Sequence, residues 1–139
     1  MEMIAREVYG IESLSAGPFD TNSRPALIGA KVAESLGYGP AYHQRVLRAF
    51  WQEARAIGKP EVLIELAKEI RIPLDQFEAG LADPQYEALV DQDIRMAATY
   101  NLRGVPALIF GRKYLVPGAQ PFQALEEVVK QALEEGLGE

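Results

Sequence analysis

The sequence predicts a mostly helical α/β fold. Three observations carry the prediction. Apolar residues recur at a helical period through most of the first hundred residues, short apolar runs at 105–110 and 114–116 flank Gly111-Arg112, and an amphipathic stretch follows Pro121. A chain of 139 residues with 48% hydrophobic and 24% charged side chains has the composition of one globular domain. Within it the pattern marks a short helix and loop over 1–21, a helical region over 22–102 and a strand–strand–helix motif over 103–135.

Each element has a local reason. Residues 1–9 read as a short helix stopped by Gly10, and residues 11–20 as a loop that mixes Ser, Gly and Pro without a period. Asn22 or Ser23 caps a helix with Pro25 in its first turn, which ends near Gly37. Gly39-Pro40 opens a second helix, whose positions Tyr42, Val46, Leu47, Phe50, Trp51, Ala54 and Ile57 keep a helical period until Gly58. Pro60 opens a third, with Val62, Leu63, Leu66, Ala67 and Ile70 on one face, and a shorter helix spans 73–81. Asp83-Pro84 combines an N-cap acceptor with proline at the first helical position. That helix turns Tyr86, Leu89, Val90, Ile94, Ala97 and Ala98 inward and runs out near Tyr100. Gly111-Arg112 suits a two-residue hairpin turn, because glycine readily takes positive φ. Pro121 opens the last helix, which runs through Phe122, Leu125, Val128, Val129, Ala132 and Leu133.

The chemistry-bearing residues are few. Fourteen Lys and Arg against twenty Asp and Glu give a net charge of −6, which argues against a nucleic-acid partner. No apolar run reaches the 18 or so residues needed to span a bilayer, and the charged start does not read as a secretory signal. The expected location is therefore the cytoplasm, with no membrane partner. Cysteine is absent, so this chain can build no thiolate nucleophile, Cys-ligated zinc or iron–sulfur cluster from its own residues. With one histidine, His43, a two-histidine metal site is excluded, and no carboxylate or hydroxyl lies at a spacing that would orient its ring. Asp91 with Asp93, Glu126 with Glu127 and Glu134 with Glu135 are one or two residues apart, do not face each other on a helix, and read as solvated faces. Gly37 and Gly39 form no phosphate loop, and Tyr42, Phe50 and Trp51 read as core. The expectation is no catalytic residue, no metal and no cofactor.

The segment Gly104-Val105-Pro106-Ala107-Leu108-Ile109-Phe110 is the most informative. Proline cannot donate a ladder hydrogen bond, so at the start of a strand it marks an edge or a special loop. Four stretches together resemble the later two thirds of a DsbA-like thioredoxin-fold protein of the cytoplasmic FrnE-type branch. They are Asn22-Ser23-Arg24-Pro25-Ala26-Leu27, Arg48-Ala49-Phe50-Trp51-Gln52-Glu53, Arg103-Gly104-Val105-Pro106-Ala107, and Gly111-Arg112-Lys113-Tyr114-Leu115-Val116-Pro117-Gly118-Ala119-Gln120-Pro121. The resemblance implies a partial thioredoxin-like fold. Its parts are a helical insertion of the DsbA type, a β-hairpin and a C-terminal helix, and the family's opening βαβ unit with its Cys-x-x-Cys has no counterpart. It also implies that Val105–Pro106 is a cis peptide whose backbone receives a substrate polypeptide.

Two functional expectations follow. In the first, the chain is a truncated or redox-inactive member of a thiol–disulfide oxidoreductase family. In the second, it is a self-standing module that binds a peptide or another subunit around Val105, Pro106 and the exposed hairpin edge. Without an opening strand, the stretch from Ala107 to Phe110 becomes an edge with unpaired N–H and C=O groups, so a homodimer joined there is expected.

Overall fold

The computed structural model describes residue 7 and residues 14–137. The expected helix over 1–9 lies outside the described residues apart from Glu7. Residues 14–23 hold no helix or strand, as their loop composition predicts. The elements that follow are α1 (Arg24–Ser35), α2 (Gly39–Trp51), α3 (Pro60–Glu69), α4 (Leu74–Leu81), α5 (Pro84–Thr99), β1 (Ala107–Phe110), β2 (Tyr114–Pro117) and α6 (Phe122–Glu134). They group into two compact units, residues 1–93 and 94–139, with the division inside α5.

In the first unit, proline stands within the first turn of α1, α2 and α3, where its missing N–H costs nothing. The side chain of Asn22 accepts the Arg24 N–H at 3.0 Å, and that of Asp83 accepts the Gln85 N–H at 2.9 Å. Ser23 is the N-cap residue of α1, yet its side chain makes no cap bond. α1 stops where Gly37 takes a φ of 86°, which lets the Tyr38 N–H return to the Ala33 carbonyl at 2.8 Å. The core is aliphatic and aromatic: Val32, Tyr42, Leu63, Leu66 and Phe77 are fully buried. The Tyr42 hydroxyl donates to the Ala26 carbonyl at 2.9 Å, so its burial leaves no polar atom stranded. That burial pushes the phenol well above its ordinary pKa. On the surface, Arg45 bridges Glu53 and Glu69 at 2.6 Å each, and its guanidinium holds the Glu53 carboxyl below the usual range.

Two expectations about helices need correction. α2 ends at Trp51 and does not run on through Ala54 and Ile57. Its last carbonyls are taken by the loop before α1: Ser15 N–H donates to Trp51 and Gly17 N–H to Phe50, each at 2.7 Å. Ala54 then takes a φ of 52° and its N–H bonds back to Ser15. Trp51 consequently sits at a rim and is exposed, whereas Tyr42 is core and Phe50 packs against it. On α5, only Val90 is buried, while Leu89, Ile94 and Ala98 are exposed.

The second unit is built around the hairpin. α5 ends because Asn101 adopts a φ of 56°, which asparagine tolerates, and the Leu102 N–H returns to the Ala97 carbonyl at 3.1 Å. β1 and β2 pair antiparallel, with Ala107 opposite Pro117, Leu108 opposite Val116, Ile109 opposite Leu115 and Phe110 opposite Tyr114. Gly111 and Arg112 have φ values of 58° and 57°, the signs a primed hairpin turn requires, and the Lys113 N–H closes on the Phe110 carbonyl. Lys113 makes the connection three residues long, one more than the sequence suggests. α6 packs on both strands and buries Ala132, but it leaves Phe122 (76% exposed), Val129 and Leu133 (62%) facing outward. These three share one line along the helix, about a fifth of a turn off the buried face.

Candidate functional site

Val105 and Pro106 lie together in the second unit, between the end of α5 and β1. The bond joining them is cis. Val105 is 94% exposed, the most exposed large apolar side chain among the described residues of this unit. The Pro106 carbonyl accepts the Gly118 N–H at 2.7 Å, which extends the ladder one step past the strands.

That bond fixes the phase of the hairpin. Hydrogen-bonded and non-bonded pairs alternate in an antiparallel ladder. With Pro106 and Gly118 bonded, the bonded pairs are Leu108–Val116 and Phe110–Tyr114. The N–H and C=O groups of Ala107 and Ile109 therefore point away from β2. Among the described residues no strand meets them, since the sheet has only two strands. The register puts Leu108, Phe110, Tyr114 and Val116 on one face and Ala107, Ile109, Leu115 and Pro117 on the other.

The two faces differ in chemistry. On the first, α6 meets the hairpin through a polar cluster. Tyr114 Oη donates to Glu135 at 2.5 Å, Lys113 Nζ reaches Glu135 at 2.9 Å, and Gln131 Nε2 donates to Tyr114 Oη at 3.0 Å. The Lys113 ammonium, then the Tyr114 hydroxyl, hold the Glu135 carboxyl below its ordinary range. The other face carries an open pocket of about 240 Å³, formed by residues 101–105, Ala107, Leu115, Pro117 and Gly118. Its walls are mainly apolar, and it is smaller than the roughly 300–1,000 Å³ of a small-molecule site. A cavity of that size suits one or two side chains.

Val105 and Pro106 were legible in the sequence, but Leu102, Arg103, Leu115 and Pro117 were not singled out as lining residues. The two-residue turn expected at Gly111-Arg112 would have put Leu115 on the face of Leu108; the third connecting residue, Lys113, shifts the register and brings residues 115 and 117 to the face of Ala107. The remaining chemical candidates disperse over the surface. His43 is exposed and its Nε2 lies 3.3 Å from Glu34 Oε1, a carboxylate that sequence spacing did not bring near it. Asp91 pairs with Arg24, Asp93 with Lys31, and Glu126 with Lys130. Among the described residues, no three His, Cys, Asp or Glu side chains cluster to hold a metal, and no helix is long and apolar enough to cross a membrane.

Comparison with known proteins bears on the same features. The sequence profile of the DSBA-like thioredoxin domain matches residues 3–130, beginning ahead of Asn22 where the resemblance was first legible. The chain belongs to the DsbA-like thioredoxin family. It is 29% identical over 105 residues to the uncharacterized protein YwbO of Bacillus subtilis (strain 168), a match covering 75% of this chain and 52% of that protein. It is 31% identical over 65 residues to the thiol:disulfide interchange protein DsbA of Pectobacterium carotovorum subsp. carotovorum, covering 47% of this chain and 31% of that one. This DsbA-like chain thus spans about half the length, or less, of the curated relatives it matches. The crystal structure of a provisionally assigned protein disulfide isomerase from Nitrosomonas europaea superposes with a TM-score of 0.70 at 22% identity, covering 84% of this chain and 60% of that one. The fold is accordingly a partial thioredoxin-like one of the DsbA type, mostly helical with a two-stranded sheet. The 139 residues of this family member include no cysteine.

Proposed function

We propose that this DsbA-family chain binds extended polypeptide and performs no thiol–disulfide exchange of its own. The observation that carries the reading is the outward row of backbone groups on Ala107 and Ile109, continued by the exposed Val105, beside a pocket of side-chain size. An extended segment laid along β1 satisfies those groups as a third strand, and alternate side chains of the segment drop into the pocket. Thiol exchange, by contrast, proceeds by thiolate attack on a disulfide, and these 139 residues supply no thiol.

Two measurements test the reading on the purified chain. Insulin reduction and dithiol oxidation should stay at the buffer control, and turnover above it, with contaminating oxidoreductases excluded by mass spectrometry, overturns the redox half. A peptide that binds should lose affinity when alternate backbone amides are N-methylated in one phase and keep it in the other, because an edge strand bonds every second residue. Equal tolerance of both phases overturns strand addition.

A second reading is favoured by the outward line of Phe122, Val129 and Leu133 on α6. In it the same edge pairs with a second copy about a twofold axis, and the exposed stripe covers the seam. Sedimentation at low micromolar concentration should then give about twice the 15.3 kDa chain mass. A well-folded monomer defeats that reading and leaves the edge free for peptide.

A further inference from the structure

Charge is distributed unevenly along this acidic chain. Between Asp93 and Glu126 there is no Asp or Glu, yet the interval holds Arg95, Arg103, Arg112 and Lys113. It contains the pocket loop, β1 and β2 in full. Every carboxylate side chain of the second unit belongs to 126–139, and the one that meets the hairpin, Glu135, does so through Lys113 and Tyr114. Tyr114 shares its face with Val116, opposite the pocket face. Arg103 lines the pocket, is exposed, and has no ion-pair partner among the described residues. A chain with six surplus negative charges thus carries no acid side chain on β1, on β2 or in the lining of the pocket.

We infer that the polypeptide received at this edge is acidic, an extended segment that offers an apolar side chain to the pocket and an Asp or Glu carboxylate to Arg103. The inference rests on the strand-addition reading above and adds to it the chemistry of the partner. Backbone pairing along Ala107 and Ile109 is blind to sequence, so selection falls to the pocket and to charge. Apolar walls around Leu102, Ala107 and Leu115 set one requirement. The guanidinium sets the other, since it presents a fork of donors that fits a carboxylate and cannot be neutralised by deprotonation. The net charge of −6 disfavours acidic segments at a distance, so the local cations select against a long-range field that opposes them. Recognition of this kind operates only at contact, which suits a segment already held along the strand.

The test uses three fluorescent nonapeptides with the same alternating apolar residues, differing only in whether the intervening positions are Glu, Gln or Lys. Affinities for the 139-residue chain are read by anisotropy at low and at physiological salt. The Glu peptide is expected to bind up to about fivefold tighter than the Gln peptide at low salt, the upper end for one exposed charge pair. The gap should narrow as the Debye length falls from about 30 Å to about 8 Å. Arg103→Gln should remove that gap, and Arg103→Lys should retain part of it. Equal affinities for the three peptides, or a preference for Lys, overturn the inference and leave strand addition standing. Failure of all three peptides to bind overturns both.

Discussion

Phe77→Ala is expected to destabilise the helical unit by about 3–5 kcal/mol, the cost of truncating a fully buried aromatic ring. Phe77 has no solvent exposure, and its ring meets that of Tyr42 at a centroid distance of 5.9 Å and an angle of 48°. It belongs to the cluster that joins Val32 of α1, Tyr42 of α2 and Leu63 and Leu66 of α3. α4 is only eight residues long, too short to hold itself by its own backbone bonds, so its place depends on this side chain. A loss of that size is comparable with the whole stability of an ordinary domain, about 5–15 kcal/mol. Denaturant unfolding followed by far-ultraviolet circular dichroism should show the midpoint collapse, while Phe77→Leu should cost less than about 1.5 kcal/mol. A midpoint for Phe77→Ala within experimental error of the parent chain would show that this core does not carry the unit.

The second large effect falls on the hairpin. Gly111→Val should weaken it by about 1–2 kcal/mol for a left-handed residue and by about 1–3 kcal/mol more for overpacking. The φ of 58° is one that a β-branched residue avoids, and a Cβ built there collides with Leu137. Leu137 is brought to that spot by the end of α6, where Gly136 takes a φ of 71° and the Leu137 N–H bonds to the Ala132 carbonyl at 2.9 Å. Amide exchange over 107–117 should accelerate in the variant, with the helices of the first unit unaffected. Arg112→Gly, at the neighbouring left-handed position, should be neutral or slightly protective. Slower exchange in Gly111→Val would mean that the turn tolerates a side chain and that Leu137 is not its neighbour.

Element order was readable because this chain marks its helix starts with proline and its stops with residues that accept positive φ. Pro25, Pro40, Pro60 and Pro84 each begin a helix within a residue or two of the expected place, and Gly37 and Asn101 each follow the end of one. What failed has a common cause. Leu89, Ile94 and Ala98 fit a helical period, but period tells which residues share a face and not whether anything lies against that face. The early end of α2 was hidden for a similar reason, since it is enforced by the backbone of Ser15 and Gly17, far away in sequence. At the candidate site, Val105 and Pro106 were legible from proline chemistry and from family resemblance. The pocket was not, because Leu115 and Pro117 join the face of Ala107 only in the register set by a three-residue connection, one residue longer than the expected turn.

The position of Pro117 has a consequence for solubility. It faces Ala107 in a non-bonded pair, so the place where its N–H would be lies on the outer side of β2. The Lys113 N–H is already used in the turn, which leaves Leu115 as the only strand residue able to donate from that side. A segment joining β1 finds a continuous row, whereas one joining β2 finds an interrupted row. Addition at this hairpin is therefore one-sided. Where the added strand is the β1 of a second copy, both outer edges of the joined sheet are interrupted β2 edges, and the sheet ends there without seeding the open-ended growth of a cross-β fibre.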